Sequence, residues 1–184
     1  MSTDKKVLRK EYLAKLKNLA PKQRELINHQ LQKELFQHPK WQKAKTIGIT
    51  ISQSHEWDTW PIIERAWQEN KNVVVPKCYP ENKQMTFYQI KDKDDLAVQF
   101  YNLLEPLVDK TIEFQERAID LLIVPGLIFD HNHYRIGHGG GYYDRFLMDF
   151  EQDTISLVWQ GQLVEKIKNA PYDQRVKELI IARD

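Results

Sequence analysis

The chain has 184 residues, 27 Lys+Arg against 26 Asp+Glu for a formal net charge of +1, and one cysteine. That length suits a single domain (1–184) able to bury roughly 70% of the surface its unfolded chain exposes, the charge balance excludes a dominant nucleic-acid field, and the lone Cys78 excludes an internal disulfide or a zinc-ligand cysteine pair. The N-terminus enters a charged helix without an apolar signal core and no apolar run approaches the ~20 residues of a membrane span, so the expectation is a cytoplasmic protein in a reducing compartment that binds neither nucleic acid nor membrane.

Residues 4–19 read as an amphipathic helix, with Leu8, Tyr12, Leu16 and Leu19 at spacings of three and four and Asp4 as N-cap. Between Lys5 and Arg24 stand eight Lys/Arg residues and one acid, Glu11. A solvated face is the ordinary reading of such a run; an anion site is the sharper one, because Lys5 and Arg9 are four apart and share a face. A second helix starts at Pro21, whose fixed φ suits a first turn, and runs to about Phe36 with Ile27, Leu31 and Leu35 as its inner stripe. Residues 1–38 thus form a helical pair expected to pack on a sheet domain.

Downstream the period shortens. Residues 46–51 form a β-rich run, and Thr59 is placed to cap a helix carrying Ile62, Ile63, Ala66 and Trp67. Residues 72–76 and 85–90 read as strands, the second less buried. The charged stretch 91–118 reads as loop plus short helix. Residues 121–124 are a continuous apolar strand ended by Pro125-Gly126, 142–150 a helix, and 154–159 and 179–181 further strands. Short apolar strands alternating with helices imply a three-layer α/β fold, a mainly parallel Rossmann-like sheet with helices on both faces. Cys78 reads as a small core residue. His131 and His133, in a hydrophilic turn, lack a third metal ligand.

Four of the seven glycines lie between 137 and 141. Clustered glycine allows positive φ and lets a ligand approach the backbone closely. After a strand and before a helix, with Arg135 beside it, the run is suited to cradle an anion; a tight connection is the alternative. It is neither a Walker loop nor a dinucleotide fingerprint. Asp144 follows the run. A carboxylate beside a triphosphate calls for a divalent cation between them, or else it is a helix-start charge favoured by the dipole. Tyr142 and Tyr143, adjacent on a helix, diverge by about 100°.

The segment Phe129-Asp-His-Asn-His-Tyr-Arg-Ile-Gly-His-Gly-Gly-Gly-Tyr-Tyr-Asp-Arg-Phe-Leu147, with residues 122–130, Lys5 to Arg9, 52–59, Pro76-Lys77 and 104–106, resembles the 5-formyltetrahydrofolate cyclo-ligase (5,10-methenyltetrahydrofolate synthetase) family over nearly the whole chain. The resemblance implies ATP- and Mg²⁺-dependent closure of 5-formyltetrahydrofolate to 5,10-methenyltetrahydrofolate with release of ADP and phosphate, on a three-layer α/β fold. It assigns ATP contacts to Lys5, Lys6, Arg9, Arg135, Gly137, His138, Gly139, Gly140, Gly141, Tyr142 and Tyr143, Mg²⁺ to Asp144, and folate contacts to Gln53, Glu56, Asp58, Tyr101 and Tyr143. Arg135, Tyr143 and Asp144 would be catalytic. The partners implied are small molecules, ATP and a reduced folate, and a monomer is expected, with a dimer as the alternative. His138 departs from the Tyr, Phe, Arg or Lys usual at its position, Tyr101 from a frequent Trp, and Lys177 and Ala182-Arg183 from the usual C-terminal acids. The competing functions are a phosphotransferase of the same fold with another acceptor, and a non-catalytic folate or nucleotide sensor.

Overall fold

The computed structural model describes residues 4–99 and 102–184. Helix α1 (Lys5–Lys17) starts at Asp4, whose carboxylate accepts from the Lys6 N–H and so satisfies one of the amides that a helix start leaves open. Helix α2 (Pro21–Gln37) has Pro21 in its first turn and buries Ile27, Leu31 and Leu35. The short α3 (Pro39–Lys43) buries Trp41, whose Nε1–H donates to Glu69 Oε2 at 3.0 Å.

These helices pack on a seven-stranded sheet. Its spatial order is β12 (Glu178–Ala182), β10 (Asp153–Trp159), β7 (Leu121–Ile123), β1 (Thr46–Gly48), β2 (Asn72–Tyr79), β3 (Gln84–Ile90) and β6 (Ile112–Phe114). The first five strands are mutually parallel; β3 and β6 add on antiparallel at one edge. Side chains alternate across the sheet. Val73, Val75, Leu121 and Ile123 join the cluster built on α1, α2, α3 and α4 (Trp60–Gln68), whereas Val74, Leu122 and Val124 join the opposite cluster with Phe146 and Leu147 of α5 (Tyr142–Leu147). Both faces are covered, which is why the central strands read as unbroken apolar runs.

From β1 the chain crosses through α4 to β2 on one side, while β7, β10 and β12 build outward on the other. The order therefore reverses between β1 and β7, and in open α/β sheets ligands bind at the carboxyl ends of the strands flanking such a point. The chain after β7 forms a small second sheet, in which β8 (Ile128–Asp130) pairs antiparallel with β9 (Arg135–Ile136) and parallel with β11 (Leu163–Val164). β4 (Leu96–Val98) and β5 (Leu104–Pro106) form a two-stranded ribbon.

Four local expectations are corrected or refined. The run 46–51 is a strand only to Gly48, because beyond it Ser52 and Thr59 bond reciprocally, Ser52 N–H to Thr59 Oγ1 at 3.0 Å and Thr59 N–H to Ser52 Oγ at 3.1 Å. Thr59 does stand at the N-cap position of α4, but its hydroxyl is spent on Ser52, and the side-chain bond to the helix start comes from Asp58, whose Oδ1 accepts from Trp60 N–H at 3.0 Å. The stretch 91–118 carries short helical turns at Lys93–Asp95 and Glu116–Ala118 but also the unforeseen strands β4, β5 and β6, of three residues each and too short to show a period. The helix at 142–150 ends at Leu147, and Phe150 turns back on Phe146 with ring centroids 5.4 Å apart.

Leu35 is 0% exposed, so Leu35→Ala is expected to lower unfolding free energy by about 2–5 kcal/mol in urea. A loss below about 1 kcal/mol would show that α2 lies outside the cooperative core.

Candidate active site

The glycine run is positioned by the turn that precedes it. Asp130 is fully buried; its Oδ1 accepts from Asn132 N–H at 2.9 Å and Tyr134 N–H at 3.0 Å, and its Oδ2 from Ile167 N–H at 2.8 Å. This holds the β8–β9 hairpin and with it Arg135, opposite Phe129 in the ladder. Arg135 is 6% exposed. Its Nη1 lies 3.4 Å from Asp144 Oδ1 and its guanidinium carbon 5.6 Å from the Tyr143 ring centre. Burial pulls its pKa below the ordinary guanidinium value, against the Asp144 carboxylate, which raises it. Two buried polar atoms here have no partner among the described residues, Arg135 Nε and the Tyr143 hydroxyl. Burial lifts the Tyr143 phenol well above its usual range, with the neighbouring charges of Cys78 and Glu56 adding to it and Arg135 opposing. Tyr143 therefore stands as a neutral hydroxyl between Arg135 and the side of Glu56.

Gly139 (φ +103°) and Gly141 (φ +72°) take left-handed backbone, a region that costs other residues strain. A Cβ on Gly139 would sit 3.3 Å from the Arg9 guanidinium carbon. Arg9 Nε–H donates to Gly137 O at 2.9 Å, and Lys5 Nζ meets Asp173 Oδ2 at 2.5 Å, so one face of α1 grips the glycine run and the loop beside it. Asp144 Oδ1 also accepts from Gln174 N–H at 3.0 Å; both its contacts fall on Oδ1, and no described residue engages Oδ2.

The loop after β1 forms the facing half. Its residues His55, Glu56, Trp57 and Thr59 line a crevice with 123–127, the segment following β7, and with Leu16 and Gln162. Glu56 is largely shielded, its pKa raised by burial and opposed by Gln53 N–H, which donates to Oε2 at 2.7 Å. His55 Nε2 is 2.9 Å from His138 Nε2. Burial, then the charges of His138, Lys17 and Arg24, pull His55 down to about 4, and burial and Arg9 lower His138, so both rings are neutral at pH 7.

Of the residues proposed from sequence, Arg9, Arg135, the glycines, His138, Tyr142, Tyr143 and Asp144 gather on one side and Glu56 on the other. The Lys6 and Asp58 side chains are exposed, Gln53 contributes its backbone, and Lys5 is committed to Asp173. Tyr101 lies outside the described residues. His133 donates through Nδ1–H to the carbonyls of Val176 and Lys177 (3.1 and 3.0 Å), a structural contact.

Four residues were missed. Arg24 bonds the carbonyls of His55, Glu56 and Leu16, fixing the loop. Buried Gln162 accepts from Trp57 Nε1–H at 2.9 Å and donates to the carbonyls of Gly126 and Leu127 at 3.2 Å. Asp130 and Asp173 complete the set. Their signals in sequence are weak, since each acts through a partner brought near only by the fold. Beside the site, Glu105 Oε2 meets Lys77 Nζ at 3.2 Å and Oε1 accepts from Cys78 N–H.

A sequence model of the 5-formyltetrahydrofolate cyclo-ligase family matches residues 1–182. The 5-formyltetrahydrofolate cyclo-ligase of Escherichia coli K12 is 28% identical over 159 residues, 84% of this chain and 87% of that protein. The Mus musculus protein of the same name is 25% identical over 191 residues, 98% of this chain and 94% of that one. Among solved structures, Aquifex aeolicus 5,10-methenyltetrahydrofolate synthetase is similar with a TM-score of 0.84 at 26% identity, covering 96% of this chain and 89% of that one. The Mycoplasma pneumoniae synthetase shares the fold at TM-score 0.78 and 22% identity, over 97% and 98% of the two chains.

Two outcomes follow from this geometry. Gly139→Ala should cost about 1–3 kcal/mol through forced left-handed backbone and weaken ATP binding, whereas Gly137→Ala, whose Cβ would meet nothing within 4 Å, should melt like the parent; equal melting losses would contradict the strain account. Burial and then Glu105 push the Cys78 thiol up to about 11. Because the thiolate is the reactive form, an aromatic disulfide reagent at pH 8 should label native Cys78 far more slowly than the urea-unfolded chain. Rapid native labelling would contradict that shift.

Proposed function

This chain belongs to the 5-formyltetrahydrofolate cyclo-ligase family, and we propose that the two facing halves of its crevice bring ATP and the folate together for that reaction. It is an ATP-dependent ligase that closes 5-formyltetrahydrofolate to 5,10-methenyltetrahydrofolate. The observation that carries the site assignment is the buried Arg135, with a guanidinium N–H and the adjacent Tyr143 hydroxyl unpartnered beside the glycine run. Buried donors without partners are costly, and phosphoryl oxygens would satisfy them.

In this reading the triphosphate lies along the glycine run between Arg9 and Arg135. The formyl oxygen attacks the γ-phosphorus, the bond to the β-bridging oxygen breaks, and ADP departs. N10 then adds to the activated formyl carbon and loses its proton, and the carbon–oxygen bond breaks to release phosphate. The protein's work is alignment and charge stabilisation, and alignment alone contributes up to roughly 7–11 kcal/mol in well-oriented systems. Arg135 and the backbone N–H groups stabilise charge on the transferring group. Asp144 fits Mg²⁺, because its Oδ2 points to no protein partner while Oδ1 is held by Arg135 and Gln174; when bound, the ion would neutralise charge between carboxylate and phosphates. Glu56, shielded and hydrogen-bonded through one oxygen, would accept from the pterin N–H groups with the other. No helix among the described residues is long and apolar enough to cross a membrane.

The purified protein mixed with ATP, Mg²⁺ and 5-formyltetrahydrofolate should show the ultraviolet band of the methenyl product. Arg135→Lys should lower kcat by roughly 10²–10³, the range for loss of a donor to developing charge. Asp144→Asn should raise the Mg²⁺ concentration needed for half-maximal rate. Unchanged kinetics in both variants would remove these residues from the chemistry.

A further inference from the structure

Two imidazoles from different loops meet at the mouth of the crevice. His55 Nε2 and His138 Nε2 are 2.9 Å apart, with ring centroids at 5.1 Å and planes inclined by 61°. A single shared hydrogen joins them, so each ring aims a nitrogen at the same point. Glu56 brings a carboxylate there as well: one donor atom from each of the three residues lies within 4.8 Å of the others. Only Oε2 of Glu56 is taken, by Gln53 N–H.

We propose that His55, Glu56 and His138 form a binding site for a borderline transition-metal dication, Zn²⁺ being the representative, separate from the carboxylate assigned to Mg²⁺. Zn–N bonds are about 2.0–2.1 Å, which puts two nitrogens of a tetrahedral site roughly 3.3 Å apart. The observed pair has to open by only a few tenths of an ångström. His138 is exposed and lies between Gly137 and Gly139, so its backbone can follow. Two imidazoles, one carboxylate and an open fourth position form a donor set that zinc accepts.

The donor atoms, not the surrounding charges, set the selectivity. Arg9 faces His138, while Lys17 and Arg24 face His55. These cations oppose every dication alike. Mg²⁺ relies on oxygen ligands and keeps its waters, and it finds one carboxylate here; Zn²⁺ gains from imidazole nitrogen. A bound ion would tie the glycine run to the loop after β1. The site rests on this geometry and not on the cyclo-ligase assignment; because Glu56 has one free oxygen, the ion and a pterin would compete for it, and the ion is taken up with the folate absent.

The test is titration of metal-free, full-length protein with Zn²⁺ against a chromophoric chelator, with neither nucleotide nor folate present. One Zn²⁺ per chain is expected, undisturbed by a large excess of Mg²⁺. His138→Tyr and His55→Ala should each weaken it by roughly 10–100-fold or more, since loss of even an outer-shell partner has that effect. Co²⁺ in place of Zn²⁺ should give the intense visible bands of four-coordination. Absence of a stoichiometric site, unchanged affinity in His138→Tyr, or the faint spectrum of six-coordinate Co²⁺ would overturn the proposal. Should His55→Ala fail to fold, the exposed His138 position decides alone.

Discussion

The site depends on a guanidinium kept almost out of water with too few partners of its own. Arg135 has the Asp144 carboxylate at 3.4 Å, the Asp173 carboxylate beyond ion-pair contact, and a Tyr143 ring beneath it. A buried charge is tolerated only when paired and hydrogen-bonded, and here the pairing is incomplete by one N–H. The fold holds this arrangement by over-determining the backbone around it. Asp130 bonds three amides of the adjoining segments, the β8–β9 ladder sets the register, and α1 clamps the following turn through Arg9. A charge held so firmly would need little reorganisation in the proposed phosphoryl transfer.

Polar tethers join the two halves of the site, in addition to the apolar packing of Trp57 with Leu16 and Leu127. Lys5 to Asp173, Arg9 to Gly137, Arg24 to the carbonyls of 55 and 56, and Gln162 to Trp57 all link segments that the sheet merely brings near. The N-terminal helices are therefore structural and functional at once: one face of α1 and α2 buries Leu16, Ile27, Leu31 and Leu35 on the sheet, and the flank carries the cations that hold the loops. Directional contacts of this kind fix where a loop sits while leaving a cleft that ligands can enter.

The fold was legible because its signals are local. The unbroken apolar runs at 72–76 and 121–124, the helix starts at Asp4 and Pro21 and the stripe Ile27–Leu31–Leu35 all act within a turn or a strand. The glycine run was legible for the same reason. What stayed hidden acts across distance: Lys5 and Asp173 are 168 residues apart, Trp57 and Gln162 105, His55 and His138 83. Arg24 read as one more member of a solvated basic run, since nothing near it in sequence reveals the carbonyls it meets. The short strands of 91–118 were hidden because three residues cannot show a period, and the Thr59 hydroxyl misled because a residue suited to capping is equally suited to closing a loop.

The distribution of charge across the crevice explains why ATP-driven ring closure needs no covalent nucleophile here. Cys78, the one thiol, is held protonated by burial and Glu105, and Tyr143 by burial. Cations lie on the side of the glycine run and a shielded carboxylate on the other, so the two anionic reactants would meet different surfaces. Asp144 is the exception, a carboxylate on the side of the glycine run, held there by Arg135 and Gln174; in the proposed arrangement a cation would stand between it and the nucleotide. His55 and His138 stand at the seam between these surfaces, neutral and in contact with each other. In the proposed arrangement that neutrality would let the seam lie close to a triphosphate on one side and a pterin on the other without favouring the wrong occupant on charge alone.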